Sequence, residues 1–378
     1  MVALKYFRDA FKDNFSDTIA LCCQELDPAI SDFYGFIPYY RFYYDGYMHS
    51  PLHVPLTKRD VDRCPVQYSD PLEWLSTEDA TRFVTNFSLT RNDAVFFPHL
   101  DFYGVVGAIN AFTGLPEETR PTLYLRFIGV MENASASYRD PTAELVSRIR
   151  RAKDRGLKII CSAETPRLAD FLAVMIGDVV AVTPYPDFGT PMPLPSTEEF
   201  TFFCPGSARF DKGFLSLREI FSKVRNRSQD LTIRFITQSL PYRDAKHWQN
   251  YTSSLYAIPG VRVCEPVISE DEMLEHYSNS SALLLPYDNN IYERRGSAGM
   301  MEGISFCRPV ITYDGSAFAD QVRYYGCGVV VSSLDQMVDA IFELAQTPKD
   351  VIAMRALQSN YRFRKDVQQS YASWLPVQ

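Results

Sequence analysis

The chain has 378 residues, a net charge of -8 and 46% hydrophobic residues. That length and apolar content suit two domains with cores of their own. The acidic balance lacks the basic face of a nucleic-acid binder, which excludes nucleic acid as a partner and leaves any anionic ligand to a few local cations.

The opening run "LKYFRDAFKDNF" (4–15) sets Leu4, Phe7, Phe11 and Phe15 on one helical stripe, with Lys5, Arg8 and Lys12 outside it. Packing against the domain is the default reading, and weak peripheral contact with a membrane surface is the alternative. "DTIALCCQ" (17–24) reads as a buried strand. The aromatic run "YGFIPYYRFYYDGY" (34–47) reads as burial in a helix pair, or as rings that stack on sugar faces. "DAVFFPHLD" (93–101) is a strand that delivers His99 and Asp101 at its end. A helix follows over 102–112, a strand over 121–130, a helix over 140–156 that stops at glycine, and a strand over 157–164. Thr165 caps a further helix with Pro166 in its first turn, and "DVVAVTPYPDF" is another strand.

Short apolar strands alternating with helices predict a parallel sheet covered on both faces. The proline-rich stretch 183–199 breaks the rhythm and reads as an interdomain linker. A second series then runs strand 199–207, helix 214–226, strand 231–239, helix 271–280, strand 281–287, helix 299–306, strand 309–315 and helix 334–346, before a helical tail. The expected fold class is α/β, with two Rossmann-like domains facing a cleft. The expected boundaries are 1–190, 199–355 and a C-terminal helix 356–378 that crosses back to the first domain.

The dinucleotide fingerprint G-x-G-x-x-G does not follow any of these strands, and there is no Walker A sequence. Two other stretches carry the chemistry. "PGSARFDKG" (205–213) leaves a strand and opens a helix, with Arg209 and Lys212 beside glycines. Cations at a helix start make an anion site. "YERRGSAGMMEG" (292–303) also leads from a strand to a helix, so its backbone N–H groups suit a phosphate, and Glu302 suits a ribose diol whose hydroxyls both donate. Taken alone, the cations read as a solvated helix start and Glu302 as a complement to a helix dipole. Taken together in one domain, they point to a nucleoside diphosphate.

This half resembles the donor domain of GT-B glycosyltransferases of the large retaining family 4 type. The resemblance rests on G-x-x-R-x-x-K-G, met by Gly206, Arg209, Lys212 and Gly213, and on Pro286, Tyr287, Asp288, Tyr292, Arg295, Ser297, Glu302, Pro309 and Val310. It covers residues 199–345. It implies a transferase that moves a sugar from a nucleotide-sugar donor to a glycan or lipid-linked acceptor with retention of configuration, without a metal or other cofactor. Arg209 and Lys212 would hold the diphosphate and act in catalysis with His99. Gly206, Ser207, Tyr287, Arg294, Arg295, Ser297, Ala298, Gly299 and Glu302 would bind the donor, and Asp101 and Arg126 would lie on the acceptor side.

The chain departs from the pattern at several positions. Arg294 stands where many relatives carry a second acid, Ala298 and Gly303 exchange the usual small residues, and Arg126 stands where relatives often have a histidine. A catalytically silent GT-B-like binding subunit is therefore one alternative, and a nucleotide-sugar epimerase is another. Eight cysteines without a C-x-x-C pair read as small buried apolar residues of a reducing compartment rather than zinc ligands. With no signal peptide or membrane span in evidence, the expected location is the cytoplasm, or peripheral at the inner membrane face.

Overall fold

The computed structural model describes residues 7–8, 15–23, 28–40, 62–68, 70–98, 102–129, 139–185, 189–206, 208–228, 232–239 and 246–375. The chain divides into two compact units. One comprises Met1–Pro186 with Ser370–Gln378, the other Asp187–Gln369.

In the first unit, β1 (Leu21–Cys23) and β2 (Ile37–Tyr40) form a small parallel pair, with α1 (Pro28–Tyr34) between them in sequence. The main sheet is parallel, in the order β3 (Ala94–Phe97), β4 (Thr122–Phe127), β5 (Ile159–Ala163) and β6 (Ala181–Val182). Its helices are α2 (Pro71–Phe87), α3 (Phe102–Thr113), α4 (Pro141–Asp154) and α5 (Pro166–Ile176). Three of them start alike. Asp70, Asp140 and Thr165 accept from the N–H groups of Leu72, Ala143 and Leu168, and a proline occupies the first turn, where its missing N–H is no loss. Leu123, Leu125 and Phe127 of β4 are buried against Phe102, Val106 and Phe112 of α3 within one core. On the other side of α3 a glycine is required. A methyl on Gly107 would come within 2.5 Å of the Ser76 carbonyl oxygen, so its absence lets α2 and α3 close.

The aromatic run departs from the helix-pair expectation. Ile37–Tyr40 is a strand, and Tyr39 sets its ring edgewise on Phe83 and Phe87 of α2. The reason is local: alternate side chains of an extended segment can cover a helix face, and proline at 38 disfavours a helix interior. Residues 41–47 lie outside the described residues. Of the 4–15 stripe, Phe7 is buried against Phe96, Tyr185 and Tyr371.

The second unit has a parallel six-stranded sheet. Its strands are β7 (Phe200–Cys204), β8 (Ile233–Gln238), β9 (Val261–Cys264), β10 (Ala282–Leu285), β11 (Val310–Tyr313) and β12 (Gly328–Val331). Their order across the sheet is β12-β11-β10-β7-β8-β9. The helices are α6 (Phe214–Arg227), α7 (Lys246–Tyr256), α8 (Glu270–Asn279), α9 (Ala298–Ser305), α10 (Ala317–Tyr325) and α11 (Leu334–Gln346). The core is aromatic on one side of β7 and β8, where Phe235 lies 4.2 Å from Phe221 and 5.9 Å from Phe202, ring centre to ring centre.

The described residues between β6 and β7 carry no helix or strand. Part of this segment is pinned by Arg308, which is 1% exposed. Its guanidinium donates to the carbonyls of Met192, Pro193, Phe306 and Tyr277 at 2.8–3.1 Å. The last helix, α12 (Lys349–Trp374), contains the division between the units. Trp374, in the first unit, sits edgewise on Phe96 and Tyr124, each with 5.2 Å between ring centres.

Candidate functional site

Within the second unit the chain runs from β7 outward through β8 and β9, then returns to the other side of β7 for β10, β11 and β12. The direction of winding therefore reverses between β7 and β10. A doubly wound sheet leaves a crevice at such a point, beyond the carboxyl ends of the two strands. The two motif stretches are the segments that leave those ends.

After β7, Pro205 and Gly206 turn the chain, and Phe210–Lys212 forms one turn of 3-10 helix before Gly213 starts α6. After β10, Pro286 and Tyr287 lead through the charged stretch to Ser297. The Ser297 side chain accepts from the Met300 N–H and caps α9. The two segments touch. A methyl on Gly299 would stand 3.2 Å from Pro205 and 3.3 Å from the Tyr287 hydroxyl. Gly206 has a φ of +85°, and a methyl there would stand 2.4 Å from Lys212 Nζ. The ammonium of Lys212 thus lies over the Gly206 turn, 5.9 Å from the centre of the buried Tyr287 ring.

The cations are held differently. Arg209 spends Nε on Asp211 Oδ1 at 2.8 Å and pairs a second nitrogen with Oδ2. Tyr292 donates to the same Asp211 Oδ2 at 3.2 Å. Burial pushes the Asp211 carboxyl up, but the hydrogen bond and charge of Arg209, with help from Tyr292 and Lys212, take it below the usual carboxylate range. Lys212 is half-buried, and among the described residues it makes no hydrogen bond and no ion pair. Burial pulls its ammonium below the ordinary value, the nearby Arg209 adds to this, and Glu302 and Asp211 offset part of it. A cation in that state favours an anionic ligand.

Glu302 lies one turn into α9. Its Oε2 accepts a hydrogen bond from the Tyr277 hydroxyl, and among the described residues Oε1 accepts none. Burial pushes its carboxyl up, while the Tyr277 hydrogen bond and the Lys212 charge oppose the rise.

The structure therefore gathers Gly206, Arg209, Lys212, Tyr287, Ser297, Gly299 and Glu302 at one place. Ala298 is the first, exposed residue of α9. Arg294 pairs with Glu293 at 3.5 Å on the surface, and Arg295 is half-buried beside it. Ser207, His99 and Asp101 lie outside the described residues. Arg126, in the first unit, is fully buried. It donates to the Thr183 carbonyl at 2.9 Å and to the Pro98 carbonyl at 3.3 Å, and it lies over the rings of Phe7 and Tyr185. Two residues of the site escaped the sequence reading. Asp211 sits between the two cations in plain view. Tyr277 carries no local signal, because it meets Glu302 from 25 residues away.

No family model matches the chain, and no curated protein matches it in sequence. Solved structures do share its architecture. A glycosyltransferase from Rickettsia africae superposes with a TM-score of 0.60 at 11% identity, covering 98% of this chain and 93% of that chain. A UDP-forming alpha,alpha-trehalose-phosphate synthase from Burkholderia vietnamiensis gives 0.59 at 11% identity, covering 84% and 85%. An E. coli trehalose-6-phosphate structure described as bound with UDP-2-fluoro glucose gives 0.58 at 10% identity, covering 89% and 84%. At these identities the likeness is one of fold, an α/β fold with parallel Rossmann-like sheets that matches GT-B neighbours.

Proposed function

We propose that the chain is a retaining glycosyltransferase that uses a nucleotide-sugar donor. The observation that carries this reading is Lys212, a half-buried ammonium without hydrogen bond or ion pair among the described residues, set at the switch point of a doubly wound sheet beside Glu302. A diphosphate would lie against Lys212, Arg209 and the backbone amides at the start of α9. The ribose would lie against Glu302. When the anomeric carbon–oxygen bond breaks, the electron pair leaves with the diphosphate. Fixed cations and amides stabilise that charge without having to reorganise, a kind of contribution typically worth about a hundredfold or more in rate. An acceptor hydroxyl on a glycan or lipid-linked acceptor would then supply the new oxygen and pass its proton to the departing diphosphate. The names of the structural neighbours support the choice of a nucleotide-sugar donor, since they include a glycosyltransferase and a UDP-forming synthase.

A second reading is a GT-B-like binding subunit. It is favoured by Arg294, a cation paired with Glu293 where the resemblance leads one to expect an acid against the donor sugar. One experiment separates the two. Calorimetry with UDP, GDP and ADP, followed by donor hydrolysis with the matching nucleotide sugars, should show binding and turnover for the enzyme and binding alone for the subunit. Absence of binding by all three nucleotides up to millimolar concentration would sink both.

A further inference from the structure

Tyr277 reaches Glu302 from α8, a different element of the second unit. Its ring is 1% exposed and lies between Phe203 and Phe306, with ring centres 5.4 and 4.9 Å away. A buried phenol hydroxyl needs an acceptor, and a backbone carbonyl would satisfy it. Here it has a carboxylate instead, one that is only partly exposed to water. That arrangement calls for a reason beyond packing.

The titratable groups facing Glu302 are Tyr277 from α8, Tyr287 from the segment after β10, and Lys212 from the segment before α6. Both tyrosines stay protonated, because burial and neighbouring acid and tyrosine groups push them well above their ordinary value. Tyr277 can therefore act toward Glu302 as a permanent donor. Resting on the nucleotide reading given above, we propose that Tyr277 is the positioning residue of the ribose carboxylate. By occupying Oε2 it holds Glu302 in one orientation and leaves Oε1 as the acceptor for a ligand hydroxyl.

The electrostatics agree with the geometry. Burial alone would favour the protonated, non-accepting form of Glu302, and the Tyr277 hydrogen bond opposes this. A hydrogen bond to a charged group is among the stronger ones in proteins, so its loss should be visible in the titration of its acceptor. Lys212 also opposes protonation, but it acts on Glu302 through charge and makes no hydrogen bond to it, so it does not fix the carboxylate's orientation.

The test is Tyr277→Phe, which keeps the ring and its packing. Carboxyl carbon NMR on glutamate-labelled protein, with Glu302→Gln to assign the signal, follows the titration of Glu302 without any nucleotide. The midpoint should rise by about one pH unit or more in Tyr277→Phe, tenfold in the proton affinity. Calorimetry with UDP, GDP and ADP between pH 6 and 8 then follows the ligand. The loss of affinity on acidification should begin at higher pH in the variant, and its preference for a nucleotide over the 2′,3′-dideoxynucleotide should shrink. Wild-type binding with an unmoved midpoint in Tyr277→Phe overturns the assignment of Tyr277 alone. Failure of wild type to bind any of the three nucleotides overturns the nucleotide reading, and the positioning role with it.

Discussion

A methyl group on Gly213 would stand 1.8 Å from the carbonyl oxygen of Pro286. The start of α6 and the end of β10 therefore meet backbone to backbone, and this contact sets how far Lys212 stands from the Tyr287 ring. Gly213 also has a φ of +72°, in the left-handed region. Gly213→Ala should cost about 3 kcal/mol or more, because conformational strain and a clash with an immovable carbonyl add. Gly326→Ala is the control. Its φ is +67°, but nothing lies within 4 Å of the added methyl, so strain of about 1–2 kcal/mol remains alone. Urea midpoints of the two variants should separate clearly.

Lys212→Met should make the unliganded protein more stable and the liganded one weaker. Burial works against the ammonium, and among the described residues it makes no hydrogen bond. Methionine fills a similar volume without that cost. A gain of about 1 kcal/mol, or roughly 2–4 °C in Tm, is expected together with at least tenfold weaker nucleotide binding. Calorimetry of both kinds on one sample reads both. A variant that loses stability and keeps its nucleotide affinity would remove Lys212 from the diphosphate site.

Glu302→Gln tests the carboxylate through pH. The folded protein holds the Glu302 proton more tightly than the unfolded chain does, so wild-type stability falls as pH rises through that window, above the usual carboxylate range. The amide does not titrate, so the variant should lack this component. The stability difference between the two proteins should move in favour of the variant as pH increases from about 4.5 upward. Denaturant melts at several pH values give the curve, and parallel curves would contradict the upward shift of Glu302.

Much of the second sheet was legible in advance because its strands and helix starts use strong local chemistry. "FTFFC" and "ALLL" are apolar runs of strand length that meet glycine or proline soon after. The edge strands "VRVC" and "GVVV" were missed. Each has four residues, and an edge strand in contact with one neighbour needs less apolar surface to declare it. Helix α2 was missed although Asp70 and Pro71 repeat the start signal read at Asp140 and Pro141. At the candidate site, sequence spacing singled out Arg209, Lys212 and Glu302, which the fold brings to one crevice. It did not find that Asp211 holds Arg209, because a side chain two residues along can turn back only in the tight turn that forms here. Tyr277 depends on the packing of two helices and has no sequence signature.

Arg308→Lys should loosen the segment before β7. The arginine stays charged, since burial lowers it to about 10, and it serves carbonyls from α8, the end of α9 and the chain at 192–193. The Tyr277 carbonyl, in the last turn of α8, also accepts from the N–H and the hydroxyl of Ser280, and a cation is well placed at that helix C-terminus. Lysine keeps the charge but has neither the width nor the five donors. A cost of about 2–3 kcal/mol is expected. Hydrogen exchange should show the Met192 amide, which donates to the Phe306 carbonyl, losing protection ahead of the sheet.

The membership of the first unit has a consequence for how the chain is made. Its aromatic cluster of Phe7, Phe96 and Tyr124 is closed by Tyr371 and Trp374, which lie beyond the whole of the second unit in sequence. Translation delivers the first 186 residues long before those two side chains exist. The early unit leaves the ribosome with its aromatic face uncovered until the residues from 370 onward follow. Exposed apolar surface of that kind is prone to aggregate, so the first unit is the part of the growing chain with the greater need of cover.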